Sequence, residues 1–121
     1  MKNDNKNLLS EQSFQFALGI VQFCDELESK GKLNMARRLF EAGTSIGATL
    51  NEANKAEIKA DFLHRMRNAE KAAVGTQYWL QLCEKSKEYP FHKELLDQCQ
   101  ELINNISGII SGSKNKIGFY N

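Results

Sequence analysis

The stretch from Phe62 to Cys83 carries the sequence feature that most constrains the fold, a regular spacing of small and apolar residues. These residues recur at intervals of four and three: Phe62, Met66, Ala69, Ala73, Thr76, Leu80 and Cys83. This spacing places one narrow face of a long helix against neighbouring helices and leaves the charged residues outside. Four flanking residues widen the seam into the stripe expected of a bundle helix: Leu63, Ala72, Trp79 and Leu82. Other helices must therefore cover it.

A first helix is predicted upstream, from Ser10 or Ser13 to Ser29, because either serine is a suitable N-cap and Gly31 follows as a stop. Its apolar residues form two stripes. The first contains Phe14, Ala17, Leu18, Val21, Cys24 and Leu27, and the second contains Phe16, Ile20 and Phe23. A helix that is apolar on two sides is expected to contact more than one neighbour.

A second helix is predicted from about Asn34 to about Asn54, with one apolar stripe. The stripe consists of Ala36, Leu39, Gly43, Ile46, Leu50 and Ala53. Gly43 and Gly47 lie one turn apart, and glycines at this spacing allow another backbone to approach closely. A phosphate-binding loop is excluded because no Gly-Lys-Ser/Thr follows Gly47 and no strand precedes Gly43.

The remaining connections complete a helical bundle. A break within Asn54–Lys59 is predicted because the two stripes on either side differ in phase, and Gly75 is expected to have a packing role. Pro90 is predicted to end the third helix and to begin a fourth, which closes at Gly112-Ser113. Four helices with short connections predict an all-α, antiparallel, up-down-up-down four-helix bundle. It forms one domain over residues 1–121 with tails at 1–9 and 114–121, and the apolar residues of the second tail, including Phe119 and Tyr120, either fold back or serve as an arm.

Composition argues against a strong global charge preference. Sixteen Lys and Arg against fifteen Asp and Glu leave a net charge of +1, which exerts no general attraction on nucleic acid or on anionic membranes. No apolar run approaches the roughly 18 residues of a membrane span, and Met1–Asn7 lacks the apolar segment of a signal peptide. A cytoplasmic protein without membrane partners is predicted. The three cysteines, which lie on different helical stripes, are expected to be buried, reduced thiols.

Catalytic and metal chemistry find little support in the sequence. A di-iron site in a bundle needs two Glu-x-x-His motifs, whereas this chain offers one approximate match, Asp61-Phe62-Leu63-His64. No Cys or Ser has a His one turn away on the same face. We therefore expect no enzyme activity, no cofactor and no metal. Glu52, next to Leu50 and Ala53, is expected to be partly buried with a cationic or hydrogen-bonding partner, and to accept a hydrogen bond from Trp79.

Cations and acids are interleaved in the middle of the chain. Between Arg37 and Lys71 there are seven Lys and Arg against five acids, a pattern typical of a solvated helix face. If nucleic acid is bound at all, the residues expected to contact it are Arg37, Arg38, Lys55, Lys59, Arg65 and Arg67.

Several short motifs resemble one family. They are Gly43-Thr44-Ser45-Ile46-Gly47-Ala48, Glu52-Ala53, Asp61-Phe62-Leu63-His64-Arg65 and Tyr78-Trp79-Leu80. In this order, between about Phe14 and Ile110, they resemble the bacterial four-helix-bundle proteins encoded in 23S rRNA intervening sequences, once labelled S23 ribosomal proteins. These proteins are related to the accessory variability determinant of diversity-generating retroelements. The resemblance implies a left-handed bundle, a homopentameric ring and no enzyme activity, and the residues it favours for structure or assembly are Gly43, Ser45, Gly47, Glu52, Phe62, Tyr78 and Trp79.

The chain also departs from the family pattern. Thr49 replaces a frequent asparagine, and Ala72 and Gly75 replace two glutamates. The near-neutral charge does not support carrying over the nucleic-acid partner of the strongly basic retroelement proteins. The function predicted is a non-enzymatic, self-assembling interaction or accessory module. Self-assembly is expected because one core cannot easily hide all the apolar residues of helices 1 and 2, among them Phe16, Ile20, Phe23, Phe40 and Gly47. The number of five copies comes from the resemblance alone. The alternative is an RNA-binding accessory protein associated with ribosomal RNA or a ribonucleoprotein.

Overall fold

The computed structural model describes the backbone of residues 2–117 and the side chains of residues 8–113. It contains four helices, α1 (Lys2–Ser29), α2 (Leu33–Asn54), α3 (Lys59–Lys85) and α4 (Lys93–Ile117). No strand occurs among the described residues, so the prediction of an all-α four-helix bundle is confirmed. Over the same part of the chain, no helix is both long and apolar enough to cross a membrane.

Each helix packs against the helices that precede and follow it, and α1 also packs against α4. Between α1 and α2, Asn54 donates a hydrogen bond to Ser10, while the Cys24 thiol donates to the carbonyl of Ala36. The beginning of α1 therefore contacts the end of α2, and the end of α1 contacts the beginning of α2. Contacts at the other three pairs of neighbouring helices show the same antiparallel arrangement. These contacts are consistent with the predicted antiparallel, up-down-up-down order, and the left-handed twist stays a prediction.

The core of α1 takes all three residues of the second apolar stripe, together with Cys24 and Leu27 at the C-terminal end of the first. Phe16, Ile20 and Phe23 are buried, whereas Phe14, Leu18 and Val21 are exposed. The expectation that one core cannot hide all the apolar residues of helices 1 and 2 is met, but the exposed ones on α1 are Phe14, Leu18 and Val21. Both stripes have helical spacing, and what distinguishes them is the fit to α2: a Cβ atom at Gly43 would lie 2.9 Å from two Ile20 side-chain carbons, so Ile20 fits only against a glycine.

The N-terminal end of α1 differs from the prediction. The helix begins at Lys2, so residues 2–9 belong to it, and Ser10 and Ser13 lie inside it rather than at its N-cap. The Ser13 hydroxyl donates to the Ser10 carbonyl, a bond to the preceding turn that is compatible with a helix interior. At the other end, Gly31 has a φ of 78°, a left-handed conformation that ends the helix as predicted.

The last two connections are partly as predicted. The break between α2 and α3 lies at residues 55–58, inside the predicted interval. Pro90 does not begin α4, which starts at Lys93, and Gly112 does not end it, because the helix continues to Ile117. Glycine alone does not stop a helix unless it adopts the left-handed conformation seen at Gly31. Residues 114–117 are therefore helical, whereas Phe119 and Tyr120 lie outside the described residues.

The three cysteines are free and buried, as predicted. The thiols of Cys24 and Cys99 each donate to a carbonyl of the neighbouring helix at 3.3 Å. Burial raises the pKa of Cys24 and of Cys83 to about 11, and it raises the pKa of Cys99 to about 12. At neutral pH these thiols are protonated and therefore unreactive as nucleophiles.

Candidate assembly surface

Three apolar side chains in the middle of α1 remain in contact with solvent on its outer side. Phe14, Leu18 and Val21 are 62%, 44% and 36% exposed. Their spacing of four and three residues places them on one face of the helix. The sequence does contain this signal, as part of the first of the two stripes, but the spacing alone did not say which stripe is exposed.

The second helix adds Phe40, which is 47% exposed. Phe40 precedes Gly47 by two helical turns and so shares its face. Gly47 lies against α1, since a Cβ atom there would be 3.3 Å from the Ser13 Oγ. Phe40 is therefore on the side of α2 that borders α1. We call Phe14, Leu18, Val21 and Phe40 together the apolar face.

Two glycines bring the helices that carry the apolar face together. Gly43 leaves no room for a Cβ atom beside Ile20, and Gly47 leaves only tight space beside Ser13. The predicted close packing at both glycines is thus confirmed. The nearby hydroxyls of Thr44 and Ser45 bond back to carbonyls of the preceding turn, which keeps the polar groups of this segment satisfied within α2.

Glu52, predicted to be partly buried, is exposed. Its side chain is 61% accessible, and its Oε1 lies 3.1 Å from Nη1 of Arg65 on α3. Arg65 Nε also donates to both carboxylate oxygens of Asp61 at 3.2 Å. The hydrogen bond and charge of Asp61, supported by Glu52, raise the pKa of the Arg65 guanidinium. The predicted cationic partner is present, but the burial was wrong, because Glu52 lies in the last turn of α2.

Trp79 does not pair with Glu52. It is half-buried at the other end of the α2–α3 pair, where the guanidinium carbon of Arg38 lies 5.9 Å from its ring centroid. Tyr78 is 56% exposed, with its ring centroid 5.3 Å from that of Trp79. Phe62, by contrast, is buried in the core. The expected hydrogen bond fails because antiparallel helices place Glu52 beside Arg65 and Trp79 beside Arg38.

The six cations predicted for nucleic-acid contact do not form one patch. Arg37 and Arg38 lie in the first turns of α2, and Lys55 follows its last residue, about 25 Å further along at about 1.5 Å per residue. Lys59 begins α3, and Arg65 is held by two carboxylates. Arg67 is exposed on α3. The set is dispersed along the bundle rather than gathered into one phosphate-binding surface.

The structure offers no built chemical centre at the one half-motif for metal. Asp61 is engaged by Arg65, and the His64 ring lies 3.4 Å from the Asn68 amide. Within residues 8–113, no group of three or more His, Cys, Asp or Glu is arranged to hold a metal ion. An open groove between α1 and α4 is lined by amides, two carboxylates and apolar side chains, namely Leu8, Glu11, Gln12, Gln15, Phe16, Gln98, Glu101 and Leu102. Besides these two carboxylates, the groove has no Ser, Thr, Cys, Lys or His among its lining residues.

Comparison with known proteins gives a family match and a structural match. The sequence model of a family described as 23S rRNA-intervening sequence protein matches residues 5–112. A crystal structure of a protein with unknown function from the S23 ribosomal protein family, from Bacteroides thetaiotaomicron, is similar with a TM-score of 0.83. The two chains are 30% identical, and the similarity covers 88% of this chain and 98% of that one. No curated protein sequence matches this chain.

Proposed function

The chain belongs to the 23S rRNA-intervening sequence protein family, and on that premise we propose that it is a non-enzymatic module that assembles with copies of itself. The observation that supports the proposal is the apolar face. Phe14, Leu18, Val21 and Phe40 leave large hydrophobic side chains in water on one side of the α1–α2 pair. Grouped exposed hydrophobics of this kind mark interaction sites on soluble proteins.

Burial of the apolar face favours binding to a partner, but a stable complex needs further contacts. Full burial of one such side chain stabilises by about 1.5–3 kcal/mol, so four half-exposed ones contribute roughly 3–6 kcal/mol per copy. Association itself costs about 4–15 kcal/mol in lost freedom. The apolar face alone is therefore a marginal interface, and complementary contacts elsewhere are needed to fix the partner.

The resemblance implies a ring of five, and a cyclic ring requires a head-to-tail contact between two different surfaces. Light scattering at micromolar concentration is expected to give a mass several times 13.7 kDa, and about five times that value for the pentamer. Leu18→Glu places a charge in the apolar face and is expected to reduce the assembly to the monomer mass.

Ile58→Glu is the matched control for Leu18→Glu. Ile58 is 66% exposed in the α2–α3 connection, away from the apolar face, so this variant should keep the mass of the natural protein. Circular dichroism checks that both variants retain their helices. A natural protein that is monomeric under these conditions contradicts the proposed function.

RNA binding is the second candidate, because the family is described by reference to 23S rRNA and the bundle surface carries exposed cations. We expect no tight binding at physiological salt. A protein that neutralises many phosphates needs clustered cations, and its affinity for single strands falls with a log–log slope of about −0.7 per phosphate. The candidate cations are dispersed here, and Arg65 is engaged by Glu52 and Asp61.

A titration of labelled ribosomal RNA fragments at about 0.05 M and about 0.15 M salt measures this directly, because phosphate contacts weaken steeply over that range. Binding confined to the lower salt is the expected result. Sub-micromolar affinity that survives the higher salt, and that is lost in an Arg65→Glu, Arg67→Glu variant, would place RNA binding ahead of self-assembly.

A further inference from the structure

The outer side of α3 carries a stripe of exposed residues without a single acid. Its members recur at intervals of three and four residues: His64, Arg67, Lys71, Val74, Tyr78, Gln81 and Lys85. Two apolar or aromatic residues lie in the middle, and basic residues lie on both sides of them. We call this set the α3 strip. Two acids of the same helix already accept hydrogen bonds, Asp61 from Arg65 and Glu70 from Ser107.

The outer side of α1 carries the opposite charge with the same spacing. Its exposed members are Glu11, Phe14, Leu18, Val21, Asp25 and Glu28. Three apolar residues of the apolar face lie in the middle, and acids lie at both ends. Between residues 8 and 29 the chain has four acids and no Lys or Arg. We call this set the α1 strip.

The two strips cannot meet within one copy of the chain. Helices α1 and α3 each pack on α2 and α4 but not on each other, so they occupy opposite corners of the bundle. Both strips are exposed. None of their charged residues forms an ion pair within the described part of the chain, so their charges remain available to a partner.

Laid antiparallel, the strips match position by position in the alternating register of an antiparallel coiled coil. Apolar residues meet in the middle, with Phe14 opposite Tyr78 and Leu18 opposite Val74. Two of the three acids of the α1 strip meet bases of α3, with Asp25 opposite Arg67 and Glu28 opposite His64, while Glu11 lies opposite Gln81. Val21 lies opposite Lys71, whose aliphatic stem can cover it while the ammonium group reaches Asp25.

Pairing of either strip with itself is disfavoured. Two antiparallel α1 strips would bring Glu11 of one copy to Glu28 of the other, and two α3 strips would bring Arg67 to Lys85. Like charges placed opposite one another cost several kcal/mol and act against the wrong partner. The charge pattern therefore favours contact between different surfaces of two copies.

From this complementarity we propose that the α1 strip of one copy seats antiparallel against the α3 strip of the next copy. The inference rests on the proposed self-assembly and adds its geometry. A contact between two different surfaces is head-to-tail, so it generates a closed ring or an open chain and not a two-fold dimer. It also supplies the polar contacts that the apolar face alone lacks.

Cysteine cross-linking tests the pairing directly. A Leu18→Cys variant co-expressed with a Val74→Cys variant should form a disulfide-linked pair of the two chains on oxidation, whereas either variant expressed alone should not. The three natural thiols contribute little background because they are buried. Leu18→Cys co-expressed with Ile58→Cys is the matched control and should stay unlinked. Linkage within the Leu18→Cys variant alone would overturn the pairing.

A charge exchange tests the polar contacts. The double variant Asp25→Lys, Glu28→Lys should raise the protein concentration needed for assembly at least tenfold. The double variant Arg67→Glu, Lys71→Glu should raise it by the same amount. All four changes in one chain should restore assembly, which a merely misfolded variant would not do.

The outcomes separate this pairing from the proposed function. If the natural protein assembles but neither pair of reversals changes its mass, the pairing is wrong and self-assembly stands. If the natural protein is a monomer, both are wrong. If Arg67→Glu with Lys71→Glu abolishes RNA binding and leaves the mass unchanged, the α3 strip is a nucleic-acid surface and the pairing is again wrong.

Discussion

Replacing Phe16 with alanine is expected to lower the free energy of unfolding by about 3–5 kcal/mol, because a buried phenyl ring is removed and a cavity is left. Phe16 is 1% exposed in the core, and the groove between α1 and α4 has both Phe16 and Leu102 in its lining. Urea denaturation followed by circular dichroism measures the loss. The Leu18→Glu variant is the appropriate background, since assembly would otherwise make stability depend on protein concentration.

Phe14→Ala in the same background is the matched control. The residue type and the helix are the same, but Phe14 is 62% exposed and lies two positions away. Its removal should change the free energy of unfolding by no more than about 0.5 kcal/mol. In the natural background the same substitution should instead weaken assembly. Equal losses at Phe14 and Phe16 in the monomeric background would contradict the orientation of α1 described above.

That orientation is the part of the fold that sequence reasoning left open, and the reason is physical. Helices α2 and α3 each carry one regular apolar stripe, so the spacing alone identifies the buried side, and the predicted seam residues are buried. Helix α1 carries two stripes with equally good spacing. Phe16, Ile20 and Phe23 face inward because Ile20 fits against Gly43, a contact between segments far apart in sequence. Cys24 and Leu27 of the other stripe join them in the core.

The candidate site was predictable to the same degree. Exposed apolar residues on α1 and α2 were expected because one core cannot hide them all, and Phe40, one of the residues named, is exposed. On α1, however, the exposed side chains are Phe14, Leu18 and Val21, which the expectation did not name. The regular spacing of basic residues along the α3 strip is present in the sequence. The sequence does not show which of these cations are free for a partner, because Arg65, which is bound by Glu52 and Asp61, lies next to residues that face outward. Solvent exposure distinguishes Arg65 from the residues of the α3 strip, and exposure is known only once the helices are packed.

Gly43→Val is expected to destabilise the bundle by about 3 kcal/mol, the upper end of the usual cost of overpacking. Already the first added atom would lie 2.9 Å from Cγ1 and Cγ2 of Ile20. Ile20 is fully buried, and a side chain branched at Cβ strongly prefers one χ1 rotamer in a helix, so turning both carbons away is costly. Helices α1 and α2 would have to separate. Urea denaturation in the Leu18→Glu background measures the effect without a contribution from assembly.

Gly75→Ala is the control for Gly43→Val, because nothing lies within 4 Å of a Cβ atom at Gly75 and the predicted packing role of this glycine is wrong. This substitution should stabilise α3 by about 0.5–1 kcal/mol through helix propensity alone. Combining Gly43→Val with Ile20→Ala should cost less than the two single losses added together, because the second change removes the carbons that clash. Additive losses would show that Gly43 is sensitive for a reason other than its contact with Ile20, and the account of how α1 is oriented would then lose its main support.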